Sequence, residues 1–199
     1  MNASLQDDIA ASAARWVAED GMEYGAAKRR AIKELGLPAR TAWPSNESVE
    51  AAVREHLSIF CADTQPKELA VLRGLARTWM QRLSPFRPHL AGAVWRGTAT
   101  RHNDLYLQLF CDDSKSAEIW LIDQGVRYDV TEVQGFQGEA VDALTVVLPC
   151  RELGQNVLLH LMIHDYDDLR GALKPDASGQ TWRGDLQALE SKITKDGES

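Results

Sequence analysis

The chain has 199 residues, of which 44% are hydrophobic, so it is long enough to bury a core of its own. Its formal net charge of −7 argues against a surface that grips nucleic acid along its whole length. Its three cysteines are odd in number and widely spaced, which argues against a disulfide scaffold or a paired-cysteine zinc site and favours buried thiols.

The N-terminus has the features of a cytoplasmic protein. It carries Asp7, Asp8 and Glu19 and lacks both the basic start and the apolar middle of a signal peptide. No stretch approaches the roughly 18 consecutive apolar residues of a membrane span. We therefore expect a cytoplasmic location and no membrane partner.

Four helices are predicted in the first part of the chain, because apolar residues recur there at intervals of three and four. Gly21 and Gly36 mark the ends of the first two helices, and Asn46 is the expected cap of the third. The apolar faces run over residues 9–17, 24–35, 49–60 and 67–83. Residues 1–85 are therefore expected to form a helical region that packs with the rest of the chain as one unit.

From residue 86 onward the sequence predicts an α/β domain, since short apolar runs alternate there with glycine and polar turns. Strands are expected at Ala91–Trp95, Leu105–Cys111, Tyr128–Val133, Val141–Leu148 and Val157–Ile163, with helices at Ser116–Gln124 and Thr181–Ile193. The predicted fold class is α+β, with N-terminal helices followed by a mixed, mostly antiparallel five-stranded sheet and flanking helices.

The residues that suggest chemistry lie between the first two predicted strands. Gly97 lets a backbone N–H approach an anion closely and Thr98 adds a hydroxyl donor, so this turn is expected to hold phosphate oxygens. Asp104 follows one short turn later, where its carboxylate could hold a magnesium ion against those phosphates. The period of two then places the leucines of the next strand on one face and Asp104, Tyr106 and Gln108 on the other.

Three basic residues and a further acid accompany this run. Arg96 and Arg101 flank the turn and Lys115 begins the next helix, so each could contact phosphate. A solvated surface position is the simpler interpretation of each. Asp142, in a later predicted strand, is a second candidate metal ligand.

On these residues the chain resembles the nucleotidyltransferase superfamily, which includes polymerase-beta-like enzymes and minimal nucleotidyltransferases. That family has a Gly-Ser turn after its first strand, two acids one residue apart on the second strand and a third acid on a later strand. Gly97 and Thr98 match the turn, Asp104 matches the first acid and Asp142 is a candidate for the third. Tyr106 occupies the place of the second acid.

The resemblance implies a sheet of nucleotidyltransferase type and a magnesium-dependent transfer of a nucleoside monophosphate from a nucleoside triphosphate to an unknown acceptor hydroxyl. Asp104 and Asp142 would be the catalytic residues and the metal ligands. The nucleotide-binding residues would be Gly97, Thr98, Arg96, Arg101, Tyr106, Gln108 and Lys115.

Two alternatives stay open at this point. Two-metal transfer needs carboxylates that a phenol replaces badly, so the chain could be a degenerate member of the fold that binds a nucleotide or a partner without catalysis. It could also be an interaction protein whose N-terminal helices contact the partner and whose sheet is structural.

Overall fold

The computed structural model describes residues 2–113, 115–134, 140–175, 179 and 181–197, apart from the side chains of residues 2–4, 134 and 140–142. The chain forms two compact units. The helical unit comprises Met1–Leu69 and Gly97–Asn103, and the sheet unit comprises Ala70–Arg96 and Asp104–Ser199. The boundary expected at residue 85 therefore lies inside the sheet unit.

Helices at all four predicted places are present. They are α1 (Asn2–Asp20), α2 (Tyr24–Glu34), α3 (Asn46–Phe60) and α4 (Gln65–Arg82), and α4 begins in the helical unit and continues in the sheet unit. Ser45, not the expected Asn46, caps α3, because its hydroxyl accepts the backbone N–H of Ser48 at 3.0 Å. Fully buried apolar side chains fill the core of the helical unit, among them Ile9, Ala13, Ala31 and Val53.

The segment Gly97–Asn103 is held in the helical unit by a side-chain hydrogen bond and by close packing at Gly21. The hydroxyl of Thr100 donates to the carbonyl of Ala18 at 3.0 Å. Gly21, just after α1, has a φ of +65°, and a Cβ at this position would lie 2.2 Å from the carbonyl oxygen of His102. A glycine is therefore required where the end of α1 meets this segment.

A mixed sheet of six strands, one more than predicted, lies in the described part of the sheet unit. The strands are β1 (His89–Ala91), β2 (Leu105–Cys111), β3 (Asp129–Gln134), β4 (Ala140–Cys150), β5 (Gln155–Asp165) and β6 (Arg183–Gly184). Their order across the sheet is β3-β4-β5-β2-β1-β6. The central neighbours β2 and β5 are parallel, and the other neighbouring pairs are antiparallel.

The prediction of a strand over Ala91–Trp95 was wrong, because a short helix, α5 (Gly92–Arg96), follows β1 directly. Gly92 has a φ of +74°, a left-handed backbone conformation that turns the chain out of the strand. Trp95 then packs against β6, where a Cβ on Gly184 would lie 2.0 Å from its ring. The apolar run that suggested a strand is thus buried as one helical turn.

The described part of the sheet unit also contains three further α-helices, namely α6 (Ser116–Asp123), α7 (Leu169–Ala172) and α8 (Leu186–Gly197), and short 3-10 helices at Ser84–Phe86 and Tyr166–Asp168. α8 begins five residues later than predicted, because β6 occupies part of the expected helix. The carboxylate of Asp185 accepts the backbone N–H of Ala188 at 2.9 Å and so caps α8. Among the helices described, none is both long enough and apolar enough to cross a membrane.

Candidate functional site

Four polar side chains meet around the amino end of β2, and we call them the polar cluster: Asp104, Tyr106, Thr145 and His160. Asp104 precedes β2, and Tyr106 on β2 is the register partner of His160 on β5. An Asp104 carboxylate oxygen, Oδ2, lies 3.4 Å from Nε2 of His160. The Tyr106 ring stacks on the imidazole at 4.9 Å between centroids and 25° between planes. The parallel pairing of β2 with β5 therefore creates this cluster.

The side chains of the polar cluster differ in how much of their surface is exposed to solvent. The Asp104 side chain is 37% exposed, whereas that of His160 is 10% exposed. Thr145 is buried. A ligand can thus approach the Asp104 carboxylate and the partly exposed Tyr106 more readily than the mostly buried imidazole.

A chain of hydrogen bonds extends from His160 to β3. The Thr145 hydroxyl lies 2.8 Å from Nδ1 of His160 and 2.6 Å from the Thr131 hydroxyl. A carboxylate only accepts, so the bond to Asp104 assigns a proton to Nε2 and leaves Nδ1 of the neutral ring to accept from Thr145. These hydrogen bonds thus fix one orientation of the imidazole ring.

The same face of the sheet continues as a row of side chains toward β6. Direct register partners along this row are Thr145, His160, Tyr106, Ala91 and Arg183, from β4 to β6. Side chains that are register partners in neighbouring strands point to the same face. The polar cluster therefore shares a face with Arg183, and we call this set the sheet row.

Arg183 lies in a partly desolvated position at the β6 end of the sheet row. Burial lowers the pKa of its guanidinium to about 10, which still leaves it protonated at neutral pH. On the same face, the buried His89 lies two residues along β1 from Ala91, the register partner of Arg183, and the buried Gln108 lies beyond His89 on β2. This end of the row therefore carries a positive charge in a partly buried position.

The tautomer of His89 follows from its hydrogen bond. Its Nδ1 lies 2.9 Å from the carbonyl oxygen of Arg87, and a carbonyl only accepts, so Nδ1 carries the proton. Burial lowers the pKa of His89, an effect that the Arg87 carbonyl and Asp185 oppose and that Arg183 adds to. Nε2 of the neutral ring is then an acceptor.

Gly97 and Thr98, which were expected to hold phosphate, belong to the helical unit, whereas Asp104 belongs to the sheet unit. Gly97 has the positive φ expected of a tight turn, at +84°. The Gln65 side chain donates to the carbonyls of Gly97 and Ala99, at 3.2 and 2.9 Å. Thr98 is only 1% exposed. Both residues are therefore part of the packing of the helical unit.

The three basic residues expected at the nucleotide lie in different places. Arg101 is in the helical unit, where its backbone N–H donates to Glu68 at 3.0 Å. Arg96 is the last residue of α5 in the sheet unit. Lys115 lies beyond the carboxyl end of β2, with its ammonium 2.8 Å from a carboxylate oxygen of Glu118. Asp104 lies at the opposite end of that strand, so the structure does not bring Lys115 to it.

Asp142 lies on β4, where its backbone is the register partner of Glu132 on β3. β5 separates β4 from β2, so β4, which carries Asp142, lies about 10 Å across the sheet from β2, which Asp104 precedes. The Asp142 side chain is outside the described residues. The sheet order therefore gives no support to a metal shared by Asp104 and Asp142.

The donors next to Asp104 do not fit a pair of magnesium ions. Magnesium prefers carboxylate, phosphate and water oxygens, and Asp104 has a phenol, Tyr106, and an imidazole, His160, as its neighbours. In the parts of the chain that the structure describes, no three His, Cys, Asp or Glu side chains come together as a metal site.

Sequence reasoning missed the pairing of His160 with Asp104 and with Thr145. The partner of His160, Asp104, is 56 residues away in the sequence. A polar residue repeated on one face of a predicted strand is the signal that could have marked His160, but no local pattern identifies its partner.

The chain has an α+β fold with a mixed sheet, and comparison with known proteins adds no closer relationship. No protein-family model matches the chain, and no curated protein matches it in sequence. The function has to be argued from the chemistry of the polar cluster and the sheet row.

Proposed function

We propose that the sheet unit is a nucleotidyltransferase-type domain that binds a nucleoside triphosphate at the polar cluster and has lost two-metal transfer. The observation that carries this proposal is the 3.4 Å contact between Asp104 and His160, with Tyr106 stacked on the same imidazole. In the family pattern the place of Tyr106 belongs to a second acid. Here that place is used for an aromatic contact, and the neighbouring strand contributes a histidine.

The contacts available to a nucleotide follow from the exposed parts of the cluster. The half-exposed Asp104 carboxylate can accept hydrogen bonds from sugar hydroxyls. The partly exposed Tyr106 ring offers an aromatic surface to a base, and such contacts tolerate any base because each has a π-face. His160 holds both side chains in place and is itself held by Thr145. These contacts support binding, and they supply only one carboxylate.

The proposal is tested by calorimetric titration of the full chain with ATP, GTP, CTP and UTP, each with and without magnesium. We expect micromolar binding that changes little when magnesium is added. Asp104→Ala should lose this binding. Asp123→Asn, which changes an exposed carboxylate at the end of α6, is the matched control and should bind like the unchanged chain.

Two results would contradict the proposal in different ways. Binding that requires magnesium and is accompanied by pyrophosphate release would show an active transferase. No binding of any triphosphate by the folded chain would remove the nucleotide and leave a structural or partner-binding role for the sheet.

A further inference from the structure

We infer that a groove over α1 in the helical unit is a docking site for a basic amphipathic helix of another protein. The groove combines a concave apolar lining with an excess of negative charge. It lies in the helical unit, so this inference does not depend on nucleotide binding at the polar cluster.

Three helices form the groove. α1 packs against both α2 and α3, whereas α2 and α3 make little contact with each other. The open space between them has a volume of about 550 Å³. α1 supplies its floor, which includes the small side chains of Ala11 and Ser12, and the walls include Leu35 after α2 and His56 and Phe60 of α3. A groove between helices that has an apolar lining accepts the apolar face of a further helix.

The walls of the groove carry apolar side chains that the chain leaves in contact with water. Phe60 is 71% exposed, and Ile59, which precedes it, is 61% exposed. The Phe60 ring lies 4.8 Å from the imidazole of His56 between centroids, so it is held at the wall of the groove. Leu35, on the opposite wall, is also exposed. Contiguous exposed apolar groups with polar residues around them mark interaction sites.

Arg15 adds no net positive charge to the groove, because it is paired inside it. Its guanidinium forms an ion pair with the carboxylate of Glu34. That carboxylate also accepts the Trp16 indole N–H at 2.9 Å and the Ser12 hydroxyl at 3.1 Å. The hydrogen bonds from Trp16 and Arg15 lower the pKa of Glu34, so the carboxylate stays ionised and the pair is neutral as a whole.

The charge that is left unbalanced is negative. Glu19 lines the groove, and Asp8 lies on the same face of α1, because it precedes Ser12 by one helical turn. Both acids are exposed, and neither forms an ion pair with another residue that the structure describes. The rise of a helix places them about 16 Å apart along α1. A partner helix of about three turns or more can therefore present a basic residue to each of them.

The charge of the groove selects among possible occupants. A helix with lysine or arginine beside its apolar face is attracted to Asp8 and Glu19 while its apolar side chains cover Leu35 and Phe60. A second copy of this chain fits less well, because the net charge of −7 makes two copies repel each other. The acidic rim also opposes an anionic membrane surface.

The test titrates the full chain into two labelled peptides of about 14 residues and follows fluorescence anisotropy. Both peptides have leucine at helical spacing, and the other positions are lysine in one and glutamate in the other. We expect the lysine peptide to bind in the micromolar range and the glutamate peptide not to bind. Phe60→Ala should weaken binding of the lysine peptide about tenfold. Ile122→Ala, which removes a similarly exposed side chain from α6, is the matched control and should bind like the unchanged chain.

A double charge reversal separates the groove from general attraction to an acidic protein. Asp8→Lys combined with Glu19→Lys should weaken binding of the lysine peptide about tenfold or more and allow the glutamate peptide to bind. Asp123→Lys combined with Glu190→Lys changes the net charge by the same amount in the sheet unit and should leave both affinities nearly unchanged. Circular dichroism confirms that each variant folds. If Phe60→Ala does not fold, the two double variants carry the test.

The inference is overturned if Phe60→Ala binds the lysine peptide as well as the unchanged chain does. Equal losses in the two double variants would also overturn it, and so would a folded chain that binds neither peptide. Sedimentation velocity tests the second copy. A dimer of the unchanged chain that Phe60→Ala dissociates would assign the groove to self-association and overturn the partner helix. None of these results bears on nucleotide binding, so the proposed function stands or fails separately.

Discussion

The Nδ1 atom of His160 lies 2.8 Å from the hydroxyl of Thr145 on the neighbouring strand β4. Thr145 in turn lies 2.6 Å from Thr131 on β3, and the other ring nitrogen of His160 faces Asp104. Three residues, from strands β3 and β4 and from the position just before β2, therefore set the orientation of one imidazole ring. The orientation of the imidazole in the candidate site therefore depends on the pairing of β3, β4 and β5 as well as on β2, which Asp104 precedes.

Thr145→Val should destabilise the chain by about 1–3 kcal/mol, because it leaves the buried Nδ1 of His160 without a donor. Valine keeps the shape of threonine, so packing changes little. Denaturant unfolding of Thr145→Val, Thr131→Val and the double variant measures the effect. Thr131→Val should cost less in the Thr145→Val background than alone, because the hydroxyl pair is already broken. If the changes in the free energy of unfolding simply add in the double variant, the Thr145 and Thr131 hydroxyl groups are not coupled.

Gly21→Ala should destabilise the helical unit by more than the roughly 1–2 kcal/mol of a left-handed backbone. The added Cβ would also approach the His102 carbonyl oxygen to 2.2 Å. Gly25→Ala is the matched control, since α2 has open space there and alanine favours a helix over glycine. Chemical unfolding followed by circular dichroism compares the two. An equal response of both variants would show that Gly97–Asn103 does not pack against Gly21 as described.

Arg73→Leu should cost about 3 kcal/mol, because two buried acceptors lose their donor. Arg73 is 4% exposed, and its guanidinium donates to the carbonyls of Val94 at 3.1 Å and Trp95 at 3.4 Å and also contacts Asp196. Asp196→Asn should cost less than about 1 kcal/mol, since the Asp196 side chain is 58% exposed and water replaces it. Thermal melting of both variants checks this order. If Asp196→Asn destabilised the chain more than Arg73→Leu, the ion pair with Asp196 would be the main contribution of Arg73 to stability.

His89 should make the chain less stable on acidification. Burial lowers its pKa below the ordinary 6.5, with a smaller contribution from Arg183, although the Arg87 carbonyl and Asp185 raise it. The unfolded chain therefore binds the proton first as the pH falls. The stability that the folded chain gains from neutral His89 is complete above about pH 6.5 and is lost progressively below it. Urea unfolding at pH 7.5 and at pH 5 should show a larger loss for the unchanged chain than for His89→Gln. A larger loss in the variant would contradict the direction of the shift.

Much of the helical part was predictable because its signals are local. Apolar residues at intervals of three and four located α1, α2, α3 and α4, and glycines marked the ends of α1 and α2. The first strand was misplaced for a physical reason. Ala93, Val94 and Trp95 suit a strand by composition, but Gly92 turns the backbone and Trp95 gains its burial against Gly184. That burial depends on Gly184 in β6, 89 residues further along the chain.

The sequence by itself determined the α+β class, the period of two that separates the leucines of β2 from Tyr106 and Gln108, and the position of Asp104 at the start of that strand. Only the tertiary structure decided which strand lies beside β2. Strand order depends on long-range pairing, which local periodicity does not encode. The parallel pairing with β5 brings His160 to Asp104, places β4 and Asp142 one strand further away, and aligns Arg183 with Tyr106 through β1. The candidate site is therefore a product of sheet topology, because its residues meet only when distant strands pair.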